Sequence, residues 1–393
     1  MVENNFTFFR TPVIYFGIGK IKLLPTLIKE IGDNLLIITG SSSFKASIYY
    51  SELITSLNKK NIKVYEETIA GEPSPAFIDT ITEKFKSTEI NVVVSIGGGS
   101  AIDTGKAISA MLPQEGSVIQ YLEGFESKKH NGKKTPFIAV PTSSGTGSEA
   151  TKNAVLSEIG VTGFKSSIRH DNFIPDLVII DPELTLSCPP NITSACGLDA
   201  LTQLLEAYVS TKASPMTDAL ALSGLECFND GFLPSYLNGG VDVLARGKMC
   251  YASMVSGIVL SNAGLGVVHG FASSIGGFFN IPHGVVCGTL LAEATKMNIE
   301  ELFKDKDKNI VALTKYGKVG VILSCNPSTT LIDDCNLLID KLEELIKTTN
   351  IPKLSHYGTS INDINKIIQK TTNKNNPVTL DEKQLTKVLK NRI

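Results

Sequence analysis

The chain lacks a surplus of either charge. Its 37 basic and 39 acidic residues leave a formal net charge of −2, which removes the electrostatic reason to expect nucleic acid or an anionic membrane as partner. It also lacks a paired cysteine framework: seven cysteines, an odd number at unmatched spacings, read as reduced thiols of a cytoplasmic protein. The opening Met1-Val2-Glu3-Asn4-Asn5-Phe6 has no basic segment running into an apolar one, so no secretory leader is expected. What is present is ordinary for a globular protein. Hydrophobic residues make up 42% and charged residues 19% of 393, enough for two or three domains with a large core.

The most informative absence is local. No Asp, Glu, Lys or Arg falls between Cys250 and Pro282, a run long enough to cross a bilayer. The run nevertheless holds Asn262, His269, Asn280 and six glycines, and such polar groups are costly in lipid. A buried helical core divided by glycine turns is therefore expected, and no membrane span. Histidine is scarce, five in all, yet His269 and His283 stand fourteen residues apart in and beside this stretch. An imidazole there is either hydrogen-bonded and silent or holds something charged. Upstream, Gly197-Leu198-Asp199-Ala200-Leu201-Thr202-Gln203 brings polar groups into an apolar helix. Imidazole nitrogen and carboxylate oxygen are ligands that a borderline divalent metal accepts. Two histidines and Asp199 would fill three positions and leave one open to substrate; the pair alone reads more readily as two satisfied core histidines.

The chain has two halves. Up to about residue 188, short apolar runs alternate with amphipathic stretches: strands are expected over 34–39, 62–65, 91–96, 137–140 and 177–180, with helical spacing between them. That alternation indicates a parallel α/β sheet. From 189 to 393 the segments 192–210, 215–228, 241–260 and 333–347 all read as helices, and Pro189-Pro190 marks the boundary.

Two glycine-rich turns follow strands of the first half. Gly97-Gly98-Gly99-Ser100 closes one strand and opens a helix, so the backbone can approach an anion at the helix start. Asp103, one turn in, could fix the loop by accepting backbone N–H groups. The second turn, Pro141-Thr142-Ser143-Ser144-Gly145-Thr146-Gly147-Ser148-Glu149, carries five hydroxyls and two glycines in nine residues. Both would meet at the carboxyl edge of one sheet, where open α/β sheets bind ligands. Each turn alone could serve packing only; together they suggest a dinucleotide.

These residues, with Tyr15-Phe16-Gly17-Ile18-Gly19, Asp181-Pro182-Glu183-Leu184, Cys196-Gly197-Leu198-Asp199, Glu206-Ala207-Tyr208 and Asn262-Ala263-Gly264-Leu265-Gly266, resemble the iron-containing, or group III, alcohol dehydrogenase family over nearly the whole chain. The resemblance implies a dehydroquinate-synthase-like fold: an N-terminal nucleotide-binding α/β domain with a parallel sheet (1–188), an all-helical metal and substrate domain (189–393), and the active site between them. It implies hydride transfer between a small alcohol or aldehyde and NAD(P), assisted by Fe²⁺ or Zn²⁺, in a protein that commonly forms homodimers. Gly97, Gly98, Gly99 and Ser100 would then hold the pyrophosphate. Thr142, Ser143, Thr146, Thr151 and Leu184 would line the cofactor cleft, Lys165 would lie near the ribose, and Asp199, His269 and His283 fall on three of four metal ligands and would carry the catalysis.

Three departures matter. The family usually has histidine four residues after the aspartate, where this chain has Gln203; an amide oxygen is a weaker ligand than imidazole, so weak metal binding is expected. Ser273 stands where many members carry a further histidine near the substrate. After the first strand, where NAD-preferring members place Asp, this chain has Gly40, then Ser41 and Ser42. That small neutral turn leaves room for a 2′-phosphate, so NADP use is expected, with Lys45 near enough in sequence to add charge. Two rival readings are a lyase of the dehydroquinate-synthase type, whose phosphorylated polyhydroxy acid would need a basic pocket, and a nucleotide-binding protein with a decayed metal site.

Overall fold

Runs such as Leu35-Leu36-Ile37-Ile38 and Val92-Val93-Val94 have no exposed face, so they can pair only in a sheet covered on both sides. In the computed structural model, which describes residues 5–160 and 163–393, they do so. The first half runs β1 (Val13–Phe16), α1 (Leu24–Ile31), β2 (Asn34–Gly40), α2 (Ile48–Lys59), β3 (Lys63–Ile69), α3 (Pro75–Phe85), β4 (Val92–Gly97), α4 (Gly99–Met111) and β5 (Phe137–Pro141). A hairpin of β6 (Asn153–Glu158) and β7 (Phe164–Arg169) follows, then β8 (Leu177–Ile180). Six strands form one parallel sheet in the order β1-β8-β5-β4-β2-β3. The chain leaves β2 toward β3 and leaves β4 toward β5, so the order reverses between β2 and β4. Their carboxyl ends, Gly40 and Gly97, flank the crevice where such sheets take ligands.

The five expected strands are all present. Two features escaped the sequence pattern. β1 is an edge strand of four half-exposed residues, and the β6–β7 hairpin forms its own two-stranded sheet from segments too polar to stand out.

From Pro190 onward the described elements are helical: α5 (Pro190–Val209), α6 (Pro215–Asn238), α7 (Val243–Ala263), α8 (Val267–Phe278), α9 (His283–Leu302), α10 (Ile310–Ser324), α11 (Leu331–Thr348), α12 (Ile364–Lys370) and α13 (Glu382–Lys390), with short 3-10 turns among them. The expected boundary at 188/189 falls between the end of β8 and the start of α5. Proline at the first position of α5 suits a helix start. The uncharged run is cut at Gly264, whose φ of +73° ends α7. By length and composition α7 could cross a membrane, but 67% of its most apolar window is buried inside the protein, where it packs on α5 and α6.

At the loop after β5 the halves meet backbone to backbone. Gly147, in the loop after β5, has φ +60° and lies against Gly257 of α7. A Cβ on Gly257 would meet the Gly147 carbonyl oxygen at 2.1 Å, and one on Gly147 would meet the Gly257 nitrogen at 2.5 Å. Gly284 of α9 likewise admits no Cβ, because the Ala195 carbonyl of α5 would lie 2.2 Å away. Gly257→Ala is therefore expected to displace the loop after β5 and to destabilise the fold by about 1–3 kcal/mol, as overpacking does. An unchanged urea midpoint in that variant would mean that the loop is free to move.

Candidate active site

The nucleotide end is built at the crevice. A Cβ on Gly97 would clash with Ala101 at 2.7 Å and crowd the Gly40 nitrogen at 3.2 Å, and one on Gly99 would strike Thr146 at 2.6 Å. Thr142 donates its N–H to the Gly97 carbonyl at 2.9 Å. Gly97 and Gly99 are thus required for the two loops to pack on each other. Gly98 is different: it caps α4 without a side-chain bond, and its Cβ would meet only the Ser143 hydroxyl, at 3.2 Å. The amides that open α4, with Ser100 among them, favour an anion at this edge. Gly40 has open space in the Cβ direction, with Ser41 and Ser42 exposed beyond it. Lys45 is not free to meet a phosphate unaided, because its ammonium lies 3.3 Å from Glu66 and 2.9 Å from the Thr68 hydroxyl.

Four residues expected at this cleft have partners within the protein. Asp103 accepts the Val155 N–H of β6 at 3.2 Å and does not hold the glycine turn; from one turn into α4 it points at the hairpin. Burial pushes its pKa up despite Lys106 nearby. The Thr151 hydroxyl is bound by Lys106 Nζ at 2.8 Å. That ammonium, 1% exposed, also donates to the carbonyls of Ser148 and Asn153, and burial lowers its pKa to about 8. Asp103, Lys106 and Thr151 therefore form a buried polar cluster behind the cradle that ties α4 to residues 148–155. Leu184 is buried in the apolar layer with Ile179 and Leu24. Lys165 on β7 pairs with Glu72 at 2.5 Å, and its stem lies against Gly276 of α8.

The cradle and the second cluster share a wall. Gly145 packs on the backbone of Cys196, one turn before Asp199 on α5. From there Asp199, Gln203 and Glu206 follow down one side of the helix. His269 enters from the first turn of α8 and His283 opens α9. His269 Nε2 lies 3.3 Å and His283 Nε2 3.7 Å from Asp199 Oδ1. Cys287, one turn after His283, puts Sγ 3.7 Å from both Nε2 atoms. All four donor atoms lie within 4.8 Å of one another. Gln203 points its Oε1 at the Ser256 hydroxyl, 2.6 Å away.

Glu206 completes the arrangement from behind. It accepts His269 Nδ1 at 2.7 Å and the Val268 N–H at 2.7 Å, so His269 presents Nε2 to the cluster. Ser273 spends its hydroxyl on the His269 carbonyl at 2.9 Å and accepts Lys374 Nζ at 3.3 Å. The titration shifts follow from this crowding. Burial opposes charge on His269, but Cys287, Asp199 and Glu206 outweigh it and hold its pKa well above the usual imidazole value. Burial lowers His283 to about 4 against the pull of Asp199. Asp199 is held below the usual carboxylate range, since His283 and His269 outweigh its burial. Burial raises the Cys287 thiol to about 12.

These residues fit a divalent cation. Asp199 is 1% exposed, and its Oδ1 has no aligned hydrogen bond, only the ring nitrogens of His269 and His283 at 3.3 and 3.7 Å; a buried carboxylate so placed needs positive charge beside it, which an imidazolium or a bound cation supplies. Four-coordinate bonds of about 2.0–2.3 Å imply tetrahedral edges of roughly 3.3–3.7 Å, the range spanned by the 3.3 and 3.7 Å separations above. Sequence reasoning passed over Cys287 and gave Glu206 no role. The i, i+4 spacing from His283 was the available signal for the first.

Comparison with known proteins gives the family. The family model described as iron-containing alcohol dehydrogenase matches residues 11–182, and that for the C-terminal part of the same family matches residues 193–393. The chain is 31% identical to alcohol dehydrogenase 4 of Saccharomyces cerevisiae over 98% of its own length and 97% of the yeast protein. It is 31% identical to an NADPH-dependent butanol dehydrogenase of Clostridium saccharobutylicum over 88% of this chain and 85% of that one. Among solved structures, a 1,3-propanediol oxidoreductase superposes with a TM-score of 0.87 at 26% identity, covering 99% of this chain and 100% of the other.

Two measurements probe the two ends. Gly98→Val should abolish nucleotide binding while leaving the helical circular-dichroism signal intact; unchanged affinity by calorimetry would assign the turn to packing alone. Glu206→Gln should weaken metal affinity about 10- to 100-fold, as loss of an outer-sphere carboxylate on a ligating histidine does. Equal affinity in a chelator competition would remove Glu206 from that role.

Proposed function

We propose, for a chain that belongs to the iron-containing alcohol dehydrogenase family, that Asp199, His269 and His283 hold the metal and that the turn Gly98–Ser100 holds the pyrophosphate of the nucleotide. The protein is an NAD(P)-dependent alcohol oxidoreductase. The observation that carries the site reading is the buried Asp199 oxygen, without an aligned hydrogen bond and with two imidazole nitrogens at 3.3 and 3.7 Å. When bound, the metal supplies a Lewis acid that polarises the alcohol oxygen, and the nicotinamide takes up the hydride.

The chain's own residues do the rest. Glu206 fixes the tautomer of His269, so its Nε2 is turned toward Asp199. The helical core around Asp199 keeps water out. Of the three ligands, His283 alone keeps a substantial part of its side chain, 26%, exposed, so substrate would reach the metal from the His283 side. Gly145 against Cys196 holds the cradle at a fixed offset from Asp199, which hydride transfer requires. Match to both family models favours this reading over the dehydroquinate-synthase type, and the converged donors favour a working site over a decayed one. Cytoplasmic location and a homodimeric state belong to the same proposal, resting on the cysteine reading and the family resemblance.

Metal-loaded protein should oxidise members of a panel of small primary alcohols with formation of reduced cofactor, and protein stripped by a chelator should regain that activity on re-addition of metal. No turnover of any alcohol or aldehyde by the loaded protein would sink the reading. Cofactor choice turns on Gly40, where a new side chain meets no other atom within 4 Å. Gly40→Asp would set a carboxylate beside the ribose 2′ position at a cost to a 2′-phosphate of about 1–4 kcal/mol. The unsubstituted protein should therefore use NADP(H) at least as well as NAD(H), and the variant should shift toward NAD(H). A ratio of kcat/KM values that does not move would show that Gly40 faces away from the ribose.

A further inference from the structure

The position left open by Gln203 is filled from a different helix. We propose that Cys287, as a thiolate, is the fourth ligand, and that the resulting Asp199–His269–His283–Cys287 site takes zinc in preference to iron. This rests on the metal reading of the same site given above. His283 and Cys287 are four residues apart in the first turns of α9, so both side chains point to one side, and that side faces Asp199. Cys287 is fully buried and places Sγ at equal distance, 3.7 Å, from both imidazole Nε2 atoms.

A buried thiol could simply be a small apolar filler with a weak S–H donor. Here, however, it stands among the ring nitrogens of His269 and His283 and the Asp199 carboxylate with one proton to give, and Asp199 Oδ1 has no aligned hydrogen bond. A cation at the centre satisfies all four donors together. Gln203 does not compete, because its Oε1 is taken up by the Ser256 hydroxyl at 2.6 Å. The expected weakness of metal binding, which rested on Gln203 as a ligand, is thereby replaced. Sulfur with nitrogen and oxygen in a tetrahedral set suits zinc, and thiolate softens the site relative to the all-nitrogen-and-oxygen set that suits iron. On ligation the Cys287 S–H bond breaks, the electron pair stays on sulfur, and its proton leaves to solvent together with the one that His269 carries on Nε2 in the metal-free protein.

X-ray absorption at the zinc edge of the zinc-loaded, unsubstituted protein reads the site without any variant. One sulfur at about 2.3 Å beside nitrogen and oxygen at about 2.0–2.2 Å is expected. The cobalt-substituted protein should show a thiolate-to-cobalt charge-transfer band that Cys287→Ser lacks, and that variant should bind zinc more than about tenfold more weakly, the least expected even for an outer-sphere change. Gln203→His should leave the sulfur signal and the zinc affinity unchanged. One equivalent of zinc with only nitrogen and oxygen neighbours overturns the Cys287 assignment and leaves the metal reading standing. Protein that takes up no divalent metal overturns both.

Discussion

The carboxylate of Asp199 is the constraint around which the helical half is arranged. A charge buried beside a segment that has no charged side chain between Cys250 and Pro282 is unstable unless something positive or protonated meets it. The positive partner is His269 of α8, which two acids on one side of α5 share. Asp199 approaches Nε2 of His269 at 3.3 Å, and Glu206, two turns on, holds Nδ1 of the same ring at 2.7 Å. One imidazole is thus clamped between two carboxylates of one helix, which fixes the rotation of α8 about its axis. With α8 fixed and α9 packed on α5 through Gly284 and Ala195, the donor side of α9 is presented to the same point.

Function also needs the cradle at a set distance from that point, and the structure secures this with small residues. Gly145 on Cys196 and Gly147 on Gly257 let a loop of the α/β half touch the backbones of α5 and α7 directly. Side chains at such contacts would add rotamer freedom and distance. Backbone contact leaves little of either, which suits a reaction whose rate depends on the alignment of two bound groups.

Behind the loop, Lys106 plays the part that a hydrophobic plug plays elsewhere. Its buried ammonium makes three hydrogen bonds to the 148–153 segment and stands 4.0 Å from Asp103. A charge so buried is tolerated only when its donors are filled, so the cluster specifies one conformation for the segment that carries Ser148 and Thr151. The end of the hydroxyl-rich loop is consequently anchored to α4.

Periodicity and turn chemistry were sufficient for the parallel sheet, for the change to helices at Pro189-Pro190 and for the glycine cradle, because each is a local property of consecutive residues. His269, His283 and Asp199 were legible for the same reason: polar groups stand out in uncharged, apolar segments. What lay beyond the sequence was which helix faces turn toward one another. Asp103 and Thr151 were expected at the nucleotide and instead bond within the Lys106 cluster, since their targets, β6 and Lys106, belong to elements brought together only by folding. Gln203 keeps the register of a ligand on α5, yet Ser256 of α7 holds its oxygen; Cys287 gains its place because α9 starts at His283 and docks on α5. Spacing along one helix is written in the sequence, but the choice between two helices with the same i, i+4 spacing is made by packing, through close approaches such as Gly284 on Ala195 that no single segment encodes.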